Sequence, residues 1–170
     1  MSTFDYIIVG AGSAGCVLAD KLSRDPSNKV LLIEAGGSDK SPWVSLPLGY
    51  GKLFTDPRRN WKFSAPPEPT LNNREAYWPR GKLVGGSGSI NALVYCRGLP
   101  GDFDDWHEAG ATGWTWSEVQ RHYEAIETRV APDGTKTGNG PIHVQDTSTQ
   151  IHPANRHYFA AMGDLNLPVT

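Results

Sequence analysis

The chain has little that would tie it to a disulfide framework, a membrane or a polyanion. Its two cysteines, Cys16 and Cys96, are far apart and lack CxxC spacing. Such a pair supports neither a disulfide scaffold nor a zinc site, and it suits a reducing compartment, so a cytoplasmic location is expected. No apolar run approaches the ~20 residues needed to span a bilayer. The opening stretch MSTFDYIIVGAG has no basic segment ahead of its short apolar run, which argues against a secretory signal. Lysine plus arginine number 16 against 18 aspartate plus glutamate, and a net charge of -2 leaves no basic footprint for nucleic acid. Arg58, Arg59, Arg80 and Lys82 stand among acids and read as solvated surface. No internal repeat is visible.

What remains is the composition of an ordinary globular protein, and 170 residues suit one domain with a real core. Phe4 to Val9 is aromatic and β-branched, with no polar interruption after Asp5, and reads as a strand buried on both faces. Glycines follow, then Ala14 to Ser23 places Val17, Leu18 and Leu22 on one helical face, where Cys16 reads as a small core residue. Asp25, Pro26, Ser27 and Asn28 break the helix, and Val30 to Ile33 is a second apolar run ending on Glu34. The fold class expected is α/β: a βαβ unit over residues 1–36 of the Rossmann-like, FAD/NAD(P)-binding type, with an incomplete sheet.

Gly10-Ala11-Gly12-Ser13-Ala14-Gly15 matches GxGxxG. Alone the match is weak, but here it follows a strand, opens a helix and precedes an acid at the expected distance. Gly10 permits the tight turn, Gly12 lets the backbone approach a pyrophosphate, and Gly15 lets helix and strand pack closely. Helix-start amides at Ser13 and Ala14 can hold phosphate charge. Glu34, with Ala35 beside it, can accept from ribose hydroxyls, and its charge would repel a 2′-phosphate. These residues do not separate FAD from NAD.

Residues 37–79 form a long Pro-, Gly-, Trp- and Asn-rich excursion in which Pro66, Pro67 and Pro69 exclude regular helix. Its aromatic residues, Trp43, Tyr50, Phe54, Trp61, Phe63, Tyr77 and Trp78, argue against disorder, so an ordered lid or binding loop is expected. Further on, Asp102 to Ala109 reads as a short helix. Ser117 to Thr128 reads as an amphipathic helix with Ser117 able to cap. Gly134 to Gly140 reads as a polar turn, Ile142 to Val144 as a strand, and Pro153 to Leu165 as a last helix.

The segment from Arg80 to Gly98, RGKLVGGSGSINALVYCRG, carries the remaining signal. Gly85, Gly86, Ser87, Gly88 and Ser89 supply backbone donors that can form an anion-binding concavity, and Ile90–Tyr95 can present main-chain amides. The segment resembles the N-terminal signature of the glucose–methanol–choline (GMC) oxidoreductases, FAD-dependent alcohol dehydrogenases and oxidases. The likeness continues through Asp102-Phe103-Asp104-Asp105-Trp106, Gly113-Trp114-Thr115-Trp116 and Gly140-Pro141-Ile142-His143-Val144, nearest to choline dehydrogenase-like members. It implies an FAD-binding portion, with residues 80–106 the flavin-contacting signature and 107–170 a helical region. The cofactor-contacting set it implies adds Leu83, Gly86, Ser87, Asn91, Ala92, Leu93 and Val94, the last four approaching the isoalloxazine ring. Gly88 stands where serine is common in the family. Ile90 stands where some members attach FAD covalently through histidine, so the flavin is expected to be non-covalent.

The resemblance further implies oxidation of an alcohol by hydride transfer to flavin N5, assisted by a histidine base and a His/Asn partner. That pair is expected beyond Thr170, with the substrate domain, so the chain reads as an N-terminal fragment, inactive alone and holding FAD weakly. His107, His122, His143, His152 and His157 lack a telling partner and none is expected to be the base, and no metal ligand set is expected. The partners implied are an alcohol and an electron acceptor (quinone, dye or O2), dehydrogenase being favoured over oxidase. An NAD-dependent dehydrogenase and a non-catalytic flavin- or nucleotide-binding module remain the alternatives.

Overall fold

The computed structural model describes residues 3–167; Pro168, Val169 and Thr170 lie outside the described residues. The chain divides into two compact units, Met1–Val94 and Tyr95–Thr170.

In the first unit, β1 (Tyr6–Val9) pairs in parallel with β2 (Val30–Ile33), with Tyr6 opposite Val30 and Val9 opposite Ile33. Between them runs α1 (Ser13–Ser23), which ends as Asp25-Pro26 arrives, since the residue before a proline disfavours helical geometry. This is the expected βαβ unit, with the helix starting one residue earlier than its apolar spacing suggested. The expectation of strands buried on both faces is corrected. Ile7 is 61% exposed and Val9 83%, because the two-stranded sheet has α1 on one side. Ile8 points toward that helix, where a Cβ on Gly15 would lie 3.4 Å from its Cγ2. Cys16 is likewise half-buried, its thiol donating to the Ala11 carbonyl at 3.3 Å.

The excursion is ordered, as its aromatics suggested. It holds two one-turn helices, α2 (Pro42–Ser45) and α3 (Tyr50–Leu53), and a hairpin of β3 (Phe63–Glu68) and β4 (Arg74–Trp78). The hairpin is not legible from sequence because β3 contains Pro66 and Pro67. The structure accommodates them at a register shift between Ala65 and Glu68, the irregular setting prolines need in a strand. Asn72 and Asn73 turn the hairpin with left-handed backbone. Leu53 packs with Leu83 and Ile90 into a buried apolar cluster, flanked by Val44. Each such leucine contributes about 1.5–3 kcal/mol of burial, which fastens the excursion to the glycine-rich segment.

Asn60 is the polar counterpart of that cluster, 2% exposed. Its Nδ2 donates to the Phe54 carbonyl at 2.9 Å and to the Tyr77 hydroxyl at 3.2 Å, and its Oδ1 accepts from Lys62 N–H at 2.9 Å and Arg80 N–H at 3.0 Å.

In the second unit, α4 (Pro100–Glu108) and α5 (Trp116–Ile126) precede a three-stranded sheet. Its strands are β5 (Glu127–Val130), β6 (Lys136–Gly138) and β7 (Ile142–Gln145), with β5 in the centre, antiparallel to β6 and parallel to β7. The last helix, α6 (Asn155–Asp164), is shorter at each end than its sequence suggested. Three expectations are corrected here. The cap of α5 is Thr115 rather than Ser117: Thr115 N–H and Oγ1 both donate to the Glu118 carboxylate, at 3.3 and 2.9 Å. The helix stops at Ile126 because Glu127 turns extended, and Thr128 joins the sheet with its Oγ1 donating to Gly140 O at 2.7 Å. The segment read as a polar turn, Gly134 to Gly140, contains β6. Phe103 sits at the middle of the unit's aromatic cluster, within 6.4 Å of the Trp106, Trp116 and Tyr123 rings.

Candidate functional site

The glycine turn between β1 and α1 has the backbone geometry that the spacing predicted at Gly10 and Gly15. Gly10 has φ +96°, a left-handed turn that glycine adopts without strain, and donates to Ile33 O at 2.7 Å. A Cβ on Gly15 would stand 1.9 Å from Gly10 O, so only glycine lets the helix start this close to the strand. Helix α1 has Gly12 at its N-cap and no side-chain cap. The first hydrogen bond of the helix is Cys16 N–H to Gly12 O, so the amides of Ala14 and Gly15 have no acceptor among the described residues, whereas Ser13 N–H belongs to the Gly12–Gly85 bridge and faces Gly85 O. Unsatisfied amides aligned with the helix dipole form an anion seat.

Glu34 lies at the end of β2 and is half-buried. Its Oε2 accepts from Ala11 N–H at 2.8 Å and its Oε1 from Gly36 N–H at 2.9 Å. Each carboxylate oxygen keeps a second lone pair, so ribose hydroxyls can still be accepted. The main-chain partners hold the carboxylate against the glycine turn, a role that spacing alone did not reveal. Ala35 is exposed next to it.

The second glycine segment lies against the first. Gly85 N–H donates to Ala11 O at 2.7 Å, and Gly12 and Gly85 form an isolated parallel bridge. A Cβ on Gly86 would come 2.8 Å from Gly12 Cα, and Gly86 itself has φ +58°. A Cβ on Gly36 would stand 1.8 Å from Lys82 O, so the loop after Glu34 joins the same contact. Residues 10–15, 34–37 and 81–88 thus converge on one cradle, where the main chain leaves no room for a side chain at Gly15, Gly36, Gly81 or Gly86.

The concavity expected of Gly85–Ser89 is partly spent internally. Gly85 and Gly86 donate to Ala11 O and Leu83 O, and Gly88 N–H faces Gly85 O in the first turn of a short 3-10 helix (Gly86–Ser89), whereas the amide of Ser87 has no acceptor among the described residues. Gly88 faces Ser13: a Cβ there would be 3.3 Å from Ser13 Oγ, a contact that a side-chain rotation relieves. Leu83 is fully buried in the apolar cluster, so its side chain supports the cradle from beneath.

After Ile90 the chain runs on without regular structure. Asn91 Oδ1 accepts from Leu93 N–H at 2.8 Å, and Leu93 has φ +63°. That amide is therefore engaged, while those of Ala92 and Val94 have no acceptor among the described residues. Asn91 and Leu93 border a cleft of about 270 Å³ whose other walls include Trp43, Tyr50, Leu53 and Ser89.

All five histidines follow Val94. His122, His143, His152 and His157 are exposed. His107 has a buried Nδ1 with no hydrogen-bond partner. Among the described residues none is bonded to a carboxylate, and no cluster could hold a metal ion. No helix of the described residues is long and apolar enough to cross a membrane.

A βαβ glycine turn with uncapped helix amides, an acid at the end of the second strand and a second glycine segment against the first are the features of a Rossmann-like dinucleotide-binding fold. The chain belongs to the GMC oxidoreductase family, whose model matches residues 4–170. It is 49% identical over 160 residues to an alcohol dehydrogenase (acceptor) of Pseudomonas putida, covering 93% of this chain and 29% of that protein. It is 44% identical over 171 residues to an oxygen-dependent choline dehydrogenase of Photobacterium profundum, covering 99% of this chain and 30% of the other. Among solved structures it matches the pyridoxine 4-oxidase from Mesorbium loti with a TM-score of 0.82 at 35% identity, over 98% of this chain and 33% of that one. The chain therefore spans under a third of the length of these curated relatives.

Proposed function

We propose that this chain is the FAD-binding part of an oxidoreductase acting on the CH–OH group of an alcohol. The observation that carries the reading is the main-chain contact between Gly12 and Gly86, which merges the dinucleotide turn with the family's second glycine segment. In this reading the free amides of Ala14, Gly15 and Ser87 take the pyrophosphate, with Ser13 and Gly88 bordering it, and Glu34 takes the adenosine ribose. The main chain from Asn91 to Val94 meets the ring. Bound there, the flavin would supply the two-electron acceptor that takes hydride from the alcohol carbon.

The residues of this chain bind, orient and exclude. Glu34 holds the ribose end by charge-assisted acceptance. Its negative charge disfavours a 2′-phosphate. The excursion, anchored through Leu53 and Asn60, walls the cleft beside Asn91 and Leu93. Attachment is non-covalent: residue 90 is an isoleucine, buried at 2% exposure, with no nucleophile to offer. A proton-accepting base is assigned to residues outside this chain, because none of its histidines has a partner suited to the role. Both cysteines are free thiols, which accords with a cytoplasmic setting.

Purified protein from the complete reading frame should be yellow, and heat or acid denaturation should release all of its FAD into solution. An alcohol with an artificial acceptor should bleach the flavin and reduce dye. Absence of flavin together with nicotinamide binding would replace this reading by an NAD-dependent one. The relatives' names bring choline and other alcohols into the trial set, with quinone, dye or O2 as acceptor.

A further inference from the structure

We propose that Asn91 is a positioning residue for the flavin: its carboxamide oxygen holds Leu93 in a left-handed turn that leaves the flanking amides free for the ring. This rests on the FAD reading above and deepens it.

Side chains accept from the N–H two residues on at several turns, such as Asp25 and Asp133, but among the described residues it is at two asparagines that the donor is also left-handed. At Asn60 the side-chain oxygen accepts from the N–H two residues on, Lys62, which has φ +55°. At Asn91 it accepts from Leu93 N–H, and Leu93 has φ +63°. Side-chain acceptance of this kind mimics a backbone turn, and left-handed geometry is unfavourable for any residue with a Cβ. At Asn60 the purpose is structural: the side chain is buried and tied to Phe54, Tyr77 and Arg80 as well.

No packing within this chain explains the second copy. Asn91 is exposed, and Leu93, a branched hydrophobic residue in a strained conformation, is 62% exposed. Strain that serves no core belongs to a site that needs the resulting backbone direction. The consequence on the main chain is specific: one amide is absorbed by the turn, and the amides of Ala92 and Val94, on either side of it, stay without acceptors among the described residues. Donors fixed in place toward a ring edge stabilise the added charge of the reduced form without reorganising, which raises the flavin's potential. Asn91 would set that fixing, while making no demand on its own contact with the ring.

The test uses the FAD-loaded protein from the complete reading frame, read by flavin content, visible absorption and midpoint potential, none of which needs turnover. Asn91→Ala should keep FAD while lowering the potential by about 30 mV, equivalent to a tenfold loss in preference for the reduced form of a two-electron couple. Asn91→Ser, which can make the same turn through its hydroxyl, should stay near wild type. Leu93→Gly in the Asn91→Ala background removes the left-handed penalty and should recover most of the shift. An Asn91→Ala protein with full FAD and unchanged potential and spectrum overturns the proposal. Should Asn91→Ala lose FAD altogether, recovery of FAD in the double variant supports the proposal and continued loss overturns it. A wild-type protein without flavin would instead overturn the cofactor reading.

Discussion

Arg97 grips Glu127 with two hydrogen bonds, Nε to Oε1 at 2.9 Å and Nη2 to Oε2 at 2.5 Å, while the Tyr95 hydroxyl donates to the same Oε1. The glutamate side chain is 2% exposed, and the guanidinium also lies over the Tyr123 ring, 4.9 Å from its centroid. Arg129 adds a weaker, exposed ion pair at 3.6 Å. A carboxylate this buried is tolerable only because every partner is in place.

Arg97→Met should therefore destabilise the protein by about 3–5 kcal/mol, the cost of leaving a buried charge unpaired. Glu127→Gln, which removes the charge and keeps the shape, should cost less. Urea unfolding of the two variants decides the order; equal and small losses would show that the pair contributes little.

The same pair gives stability an acid dependence. Hydrogen bonds from Arg97, and then from Tyr95, hold the Glu127 carboxyl below its ordinary value of 4.5 against the effect of burial. A depressed carboxyl contributes stability in full above its unfolded value and loses it as pH falls through the lower folded one. The acid limb of wild-type stability, below about pH 4.5, should flatten in Glu127→Gln when melting is followed by circular dichroism.

Tyr95 titrates in the opposite sense. Burial, and then the neighbouring Glu127 carboxylate, push its hydroxyl up from 10.0 to about 12. A raised value means stability that is complete below pH 10 and lost as pH rises toward 12. Tyr95→Phe should lose that alkaline limb, and tyrosinate difference absorbance of the native protein should show one hydroxyl ionising late.

At the cradle, Gly86→Ala should weaken FAD binding by tenfold or more, roughly 1.4 kcal/mol, because its Cβ would strike Gly12 Cα from a left-handed backbone. Gly88→Ser is the control: its Cβ meets only Ser13 Oγ, so binding should change by less than roughly 0.5 kcal/mol. Equilibrium dialysis with FAD compares them. Equal losses in both would place the pyrophosphate elsewhere.

Glu34→Ala should cost more than a lost ribose contact, since the Ala11 and Gly36 amides lose their acceptor as well. Hydrogen bonds to a charged group are worth about 1.5–3 kcal/mol. Glu34→Gln keeps one acceptor oxygen and should fall between. Thermal melts without flavin separate the structural share from the binding share.

Local chemistry explains what could be read early. Gly10, Gly12 and Gly15 between two β-branched runs, with Glu34 closing the second, specify a strand–turn–helix–strand unit through turn geometry and hydrophobic period. The helix around Val119 and Tyr123 was legible for the same reason. Its cap was not, because Thr115 and Ser117 are both good caps, each with a capping-box partner three positions on, Glu118 and Gln120, and the fold engages the first. The β3–β4 hairpin was hidden, since prolines that argue against a strand are admitted at an irregular edge. Asn60, Ala11 and Gly85 gave no local sign of their roles, which rest on partners distant in sequence, such as Arg80 for Asn60 and Ala11 for Gly85.

Residue type at short spacing was enough to specify the nucleotide-binding unit, the family signature and the isoleucine at position 90. Only the folded chain brought Gly12 to Gly86, pinned Glu34 against Ala11, and buried Glu127 between Arg97 and Tyr95. Those contacts join residues far apart along the chain. Their energies come from close approach and exclusion of water once loops have closed, a property that no local propensity encodes.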